Sequence, residues 1–120
     1  MRGTKIEISR EITFDAPADE VWAALTESER LEDWFATEAE LEPVEGGRAS
    51  FRWGNGEERS ATVEVCEPER CLELRWDDDG GRVVLELEET DARTTLRVRE
   101  TSPEFSAALE LRALAACLVA

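Results

Sequence analysis

The sequence contains no histidine and no tyrosine, and Lys5 is its only lysine. Without histidine it lacks both the side chain that most readily moves a proton near neutral pH and the commonest nitrogen ligand for zinc. Acid–base chemistry would have to rest on an Asp, Glu, Cys or Arg of strongly shifted pKa. Positive charge is scarce as well: 14 basic residues stand against 29 acidic ones, a formal net charge of −15. Nucleic acid is a poor partner for such a chain, because binding it needs clustered Lys and Arg that displace counterions. A membrane is disfavoured too, since an anionic surface repels the same charge and no apolar run approaches the roughly 20 residues of a span. No basic-plus-apolar leader opens the chain, so the expected location is the cytoplasm. Three cysteines, an odd number, fit reduced thiols better than a disulfide framework.

What is present is enough for one domain. The 120 residues, expected to form a single unit over 1–120, can build a core and are close to the smallest that can also enclose a pocket. The excess of Glu, Ala and Arg fits either a GC-rich genome or adaptation to high salt. We found no internal repeat, linker or low-complexity segment.

The most informative stretch is Phe14 to Phe35, FDAPADEVWAALTESERLEDWF. Asp15 is a good helix cap, Pro17 suits a first turn, and Asp19 and Glu20 favour the positive helix end. Val21, Trp22 and Leu25 follow at helical spacing, Ser28 can cap a second short helix, and Leu31, Trp34 and Phe35 give that helix an apolar face. Before it, Lys5 to Phe14 alternates as a half-buried strand with Ile6, Ile8, Ile12 and Phe14 on one side. Arg10 shares that apolar side.

After it, short alternating runs read as strands: Thr37 to Glu42, Arg48 to Trp53, Arg59 to Cys66, Arg70 to Asp77, Arg82 to Glu89 and Arg93 to Thr101. Asn55-Gly56 signals a hairpin because both residues tolerate positive φ. In the fourth strand the parity puts Ala61, Val63 and Val65 inward. Strands joined by short turns make an antiparallel meander. Ser102 and Pro103 open a final helix with an apolar stripe that includes Phe105, Leu111, Leu114 and Leu118, and its length to Ala120 is short.

Phe14, Ala16-Pro17, Val21-Trp22, Leu25-Thr26, Leu31 and Trp34-Phe35, then Gly46-Gly47, Phe51 and Glu67-Pro68 before Leu72, resemble the START-like (SRPBCC) superfamily. Within it, the nearest branch is that of homologues of the activator of the heat-shock chaperone ATPase. The resemblance implies an α+β helix-grip (Bet v-like) fold: a curved antiparallel sheet of about seven strands in β-α-α-β6-α order, gripping a C-terminal helix. It implies a cavity and carries no shared catalytic set.

The candidate ligand-binding residues are Arg10, Trp22, Trp34, Phe35, Phe51, Trp53, Arg59, Trp76, Glu100, Phe105 and Leu109. Each aromatic can be plain core, burying about 150–250 Å². Four tryptophans in so small a domain also suit a pocket wall. An empty cavity of about 300 Å³ would cost roughly 7 kcal/mol, comparable with the whole stability of about 5–15 kcal/mol of a domain. The cavity is therefore expected to be small, or filled by water or ligand. Arg10, Arg59 and Glu100 have inward parity and should pair, reach water at the rim, or meet a polar group of an anionic or carbonyl-bearing ligand.

Cys66 and Cys71 fall across a turn, both outward by parity, where two free thiols are favoured over a disulfide. Asp77 to Asp79 reads as a solvated turn rather than a calcium loop, which would need more ligands. Glu86 and Glu88 should face Arg97 and Arg99 on the outer surface. No catalytic residue, metal or cofactor is expected.

Three functional readings follow. The first is non-catalytic binding of a small hydrophobic ligand between sheet and final helix, selected by pocket shape. The second is a chaperone-associated or stress-related interaction module, with a homodimer through the final helix as one form. The third, borrowed from polyketide cyclases and aromatases of the same superfamily, is an enzyme, and the missing His and Tyr weigh against it.

Overall fold

Alternating apolar and polar residues build most of this molecule as sheet. The computed structural model describes residues 6–102. Along them run β1 (Ile6–Phe14), α1 (Ala18–Thr26), α2 (Ser28–Trp34), β2 (Glu38–Leu41), β3 (Arg48–Arg52), β4 (Glu58–Glu67), β5 (Cys71–Trp76), β6 (Arg82–Thr90) and β7 (Arg93–Ser102). The seven strands form one antiparallel sheet in the order β1-β7-β6-β5-β4-β3-β2. This is the α+β helix-grip architecture. The expected closing helix, with Phe105 and Leu109, lies outside the described residues.

One face of the sheet is mostly apolar because the strands, apart from one irregularity in β4, alternate in phase with their neighbours. Leu96 and Val98 of β7, Leu72 of β5 and Val63 of β4 are almost wholly buried there. α1 packs over β6 and β7, and α2 lies against α1 and β2. The opposite face carries charge: Arg97 reaches Glu11 at 2.7 Å and Glu88 at 3.1 Å, and Arg82 reaches Glu73 at 2.6 Å. Glu86 stands opposite Arg97 in register, whereas Arg99 lies opposite Val84. Among the described residues, no helix is long and apolar enough to cross a membrane.

The helix starts differ from the sequence expectation. Pro17 itself occupies the N-cap position of α1, with ψ of 162°, so Asp15 sits too far upstream to cap it. The Ala18 N–H instead donates to Glu89 Oε1 at 2.8 Å, a cap supplied by β6. Glu27 ends α1 and begins α2 in one residue, which makes Ser28 the first helical residue rather than a cap.

A second difference lies in β4. The pairing runs Val63↔Leu74, then Val65↔Glu73 and Cys66↔Leu72, so a β-bulge inserts one residue between Val63 and Val65. The extra residue inverts the side-chain phase. Val65 comes opposite the outward Glu73, and Cys66 turns inward, packed against the core, with its thiol 3.0 Å from the Pro43 carbonyl. Cys71 stays outward, opposite Glu67 and Glu86. The two cysteines therefore occupy opposite faces and are free.

The turns show where the backbone is strained. Trp53 N–H bonds the Glu57 carbonyl and Gly56 N–H bonds the Trp53 carbonyl, giving a three-residue loop in which only Gly56 takes positive φ. The β6–β7 loop is tighter: Thr90 pairs with Arg93 across Asp91 (φ 53°) and Ala92 (φ 64°). Left-handed φ at an alanine costs about 1–2 kcal/mol, and glycine gives back part of that relief in unfolded-state entropy. Ala92→Gly should therefore raise stability by up to about 1 kcal/mol. A urea midpoint that stays put or falls, at constant slope, would contradict this account.

Candidate functional site

The end of α2 and two strands bring five aromatic rings together. Trp34 and Phe35 close α2, Phe51 and Trp53 come from β3 and its loop, and Trp76 ends β5. Phe35 meets Phe51 edge-on at 5.0 Å between centroids and Trp53 at 5.4 Å, while Phe51 meets Trp76 at 5.7 Å. Such tilted and T-shaped contacts suit the ring quadrupoles. Both indole N–H groups at the α2 end are satisfied: Trp34 Nε1 donates to the Ala24 carbonyl and Trp53 Nε1 to the Phe35 carbonyl, each at 2.8 Å. The second bond ties the β3–β4 hairpin to the end of α2. Trp34, Phe51 and Trp76 are buried, and Phe35 and Trp53 are half-buried at the rim.

Behind this cluster lies a void of about 20 Å³ bounded by carbon: Leu25, Leu31 and the rings on one side, Leu72, Leu74, Val83 and Leu85 of the sheet on the other. It has room for about one water, and the described lining residues offer it no polar partner. Its cost is only about 0.5 kcal/mol on the mutational scale. Among the described residues, the aromatic side chains thus pack against one another over this part of the sheet. A second concavity of about 300 Å³ is an open trough of mixed polar and apolar lining along β2 to β4, bordered by Glu40, Ser50, Arg59 and Ser60.

The inward charged residues are paired. Arg10 Nη2 donates to Glu100 Oε2 at 2.8 Å across β1 and β7. Arg59 stacks 4.0 Å over the Trp76 ring, and its Nε and Nη2 donate to Asp78 Oδ2 and Oδ1, both at 2.9 Å. Asp79 approaches the same guanidinium at 3.5 Å. Burial alone would weaken the Arg59 cation, but hydrogen bonding and attraction to Asp78, with Asp79 and Glu57, outweigh it and raise its pKa. The hydrogen bond from Arg59 in turn holds Asp78 below the ordinary carboxylate range.

That shift has a pH consequence. A carboxylate whose folded pKa lies below its unfolded value contributes stability above the unfolded value, about 3.9 for Asp. The contribution is lost as pH falls through the depressed folded value. An NMR titration should give Asp78 a midpoint below that of an ordinary Asp, and Arg59→Gln should move it upward. An unmoved midpoint would mean that Arg59 does not hold the carboxylate.

The sequence-selected residues therefore divide. Trp34, Phe35, Phe51, Trp53 and Trp76 converge, and Arg59 joins them through Trp76. Arg10 and Glu100 form a separate pair, and Trp22 is half-buried on α1 against the core. Thr94 is not among them, yet it is wholly buried and its Oγ1 donates to the Ala16 carbonyl at 2.7 Å, fixing the chain ahead of α1 onto β7. Its shared parity with Leu96 and Val98 is the signal that could have found it. The three aspartates serve the turn: Asp77 accepts from Ser60 and Thr62, and Asp79 from the Gly81 N–H. Burial and neighbouring glutamates push both the Cys66 and Cys71 thiols up, keeping them protonated. Among the described residues, no group of three or more His, Cys, Asp or Glu is placed to hold a metal ion.

No functionally curated protein matches the chain. Among solved structures, CalU16 from Micromonospora echinospora is 33% identical with a TM-score of 0.70, over 82% of this chain and 61% of its own. DynU16, a protein of the dynemicin biosynthetic locus, superimposes with a TM-score of 0.79 at 24% identity, over 92% of this chain and 46% of its own. The chain thus spans only about half to three-fifths of the length of these two relatives. The Aha1 dimer from Colwellia psychrerythraea shares the fold at 19% identity and a TM-score of 0.73, over 90% of this chain and 83% of its own. Residues 15–115 match the family described as Activator of Hsp90 ATPase homolog 1-like protein, and with this helix-grip sheet the chain belongs to that family of the START-like superfamily.

Proposed function

We propose that this domain binds a small hydrophobic molecule without transforming it, in the interior between the apolar face of the sheet and the aromatic cluster. The observation that carries the reading is the carbon-walled void behind five rings, two of which, Phe35 and Trp53, stand half-exposed at the rim. A ligand pocket ordinarily needs about 300–1,000 Å³, so binding requires these rings to swing outward. The hydrogen bond from Trp53 to the Phe35 carbonyl is one contact that such a motion breaks. Selection then rests on shape and apolar area. A catalytic role has less support, since a general acid or base must reach the reacting atom and the described residues that line this void are all apolar.

Native mass spectrometry of the purified full chain tests the reading, followed by denaturation and organic extraction. A reproducible extra mass that extracts as an apolar small molecule supports it. A bare chain that also takes up neither N-phenyl-1-naphthylamine nor 8-anilinonaphthalene-1-sulfonate overturns it.

A homodimer is the second reading, prompted by the dimer formed by the fold-related protein from Colwellia psychrerythraea. Sedimentation at several concentrations decides it: a strict monomer throughout removes self-association.

A further inference from the structure

Arg59 occupies an unusual position for a charged residue. Its side chain is only 17% exposed and lies over Trp76, a wall of the apolar void, while its register partner Phe51 is another wall. Its bidentate counter-ion Asp78 belongs to the exposed β5–β6 turn and is itself 53% exposed. A largely buried cation that stacks on a wall of the apolar void and itself lines the open trough is thus held by a carboxylate that arrives from solvent. Bidentate carboxylate geometry is what a guanidinium fork recognises best.

The other inward arginine differs. Arg10 is more exposed, at 28%, and its partner Glu100 is the buried member, at 12%. Exchanging Glu100 for an external anion would separate a buried carboxylate from Arg10, which is unfavourable. Releasing Asp78 returns an already half-exposed carboxylate to water, while Asp79 at 3.5 Å stays beside the guanidinium.

From this asymmetry we infer that Arg59 is the specificity-determining residue of the proposed pocket, and that Asp78 holds the place of a ligand's anionic group. The preferred ligand is an amphiphile with a small aromatic or aliphatic body and one carboxylate or sulfonate. Its body lies among Phe51, Trp76 and the rim rings, and its anion replaces Asp78 on the guanidinium. The net charge of −15 does not prevent this, since physiological salt screens charges beyond about 8 Å while the Arg59 contact acts at hydrogen-bond distance. Asp78 also acts as a filter, because a neutral apolar molecule gains nothing by displacing it. The inference rests on the reading of the domain as a binder of small apolar molecules.

Two dyes with the same anilinonaphthalene body separate the two ideas: 8-anilinonaphthalene-1-sulfonate carries the anion and N-phenyl-1-naphthylamine does not. Both are titrated by fluorescence into the full-length parent, Arg59→Gln and Asp78→Asn, with near-UV circular dichroism confirming that each variant is folded. Arg59→Gln should weaken the sulfonate dye by at least about tenfold, the worth of a charge-assisted bidentate contact, and leave the neutral dye unchanged. Asp78→Asn should do the reverse, tightening the sulfonate dye by roughly threefold or more by removing a competing charge. If both dyes bind the parent and the variants change neither, or both alike, Arg59 is not the selector and the binding function stands. If neither dye binds the parent, the binding function fails, and this inference with it. Asp78→Asn keeps the test decisive should Arg59→Gln not fold.

Discussion

Phe51→Ala should destabilise the domain by about 3–5 kcal/mol, the range for truncating a buried aromatic, and open a site large enough for a benzene-sized molecule. Phe51 is 3% exposed and touches Phe35, Trp53 and Trp76, so its loss removes three ring contacts as well as its own burial. Each such contact is worth about 0.5–1.5 kcal/mol beyond area. The existing void of about 20 Å³ would merge with the space vacated by the ring. Its walls remain carbon, and an apolar cavity of that kind stays dry and accepts apolar guests. Urea denaturation reads the stability loss. Thermal melting with saturating benzene reads the gain in binding: the variant's midpoint should rise more than the parent's. Equal shifts would show that the neighbouring rings collapse into the gap, and that the cluster does not behave as the closed form of a pocket.

That expectation depends on reading which residues face inward, and the sequence was a good guide wherever a strand kept its phase. β1, β6 and β7 alternate without interruption, and Val83, Leu85, Leu87, Leu96 and Val98 are buried as their parity implies. The phase failed at the bulge in β4. The run Ala61 to Cys66 alternates without a glycine or proline to mark an extra residue, so the inversion that turns Val65 out and Cys66 in left no local trace. It is set by pairing with β5, a tertiary effect. The helix caps were lost for a related reason: the donor at the start of α1 is met by Glu89, which is 71 residues away.

The candidate site was legible in part. The aromatic residues were marked by type and parity, and Arg59 by an inward position on an apolar strand. Its counter-ion was not, because Asp77 to Asp79 looks like any hydrophilic turn until β4 and β5 are paired and Asp78 is carried over Arg59. The collapse of the rings onto one another was likewise beyond a one-dimensional pattern. Parity puts Phe51 and Trp53 on one side and helical spacing puts Phe35 on the apolar face of α2, but only the three-dimensional path of α2 puts their centroids within 5.0 to 6.2 Å.

Gly46-Gly47, part of the sequence resemblance, holds two glycines for two different reasons, and paired substitutions should separate them. Gly46 has φ of 82°, and a β-carbon there would have nothing within 4 Å of it, so alanine meets only a conformational penalty of about 1–2 kcal/mol. Asparagine, which tolerates the left-handed region, should recover part of it. Gly47 is buried and has no such backbone restriction, yet a β-carbon there would lie 2.4 Å from the Glu42 carbonyl oxygen and 2.9 Å from that of Val44. Both obstacles are backbone. They belong to the turn that closes β2 onto β3, where Gly46 N–H bonds Val63 O and Val63 N–H bonds Gly47 O beside the bulge. Relief therefore means moving the turn and part of the sheet pairing, and Gly47→Ala should cost about 3 kcal/mol or more, at or above the usual range for overpacking. No other side chain should rescue it, since every one begins with the same carbon. Urea midpoints for Gly46→Ala, Gly46→Asn and Gly47→Ala provide the comparison. A Gly47→Ala variant as stable as Gly46→Ala would mean that this turn yields easily, and that the end of the sheet beside the bulge is softer than its hydrogen bonds imply.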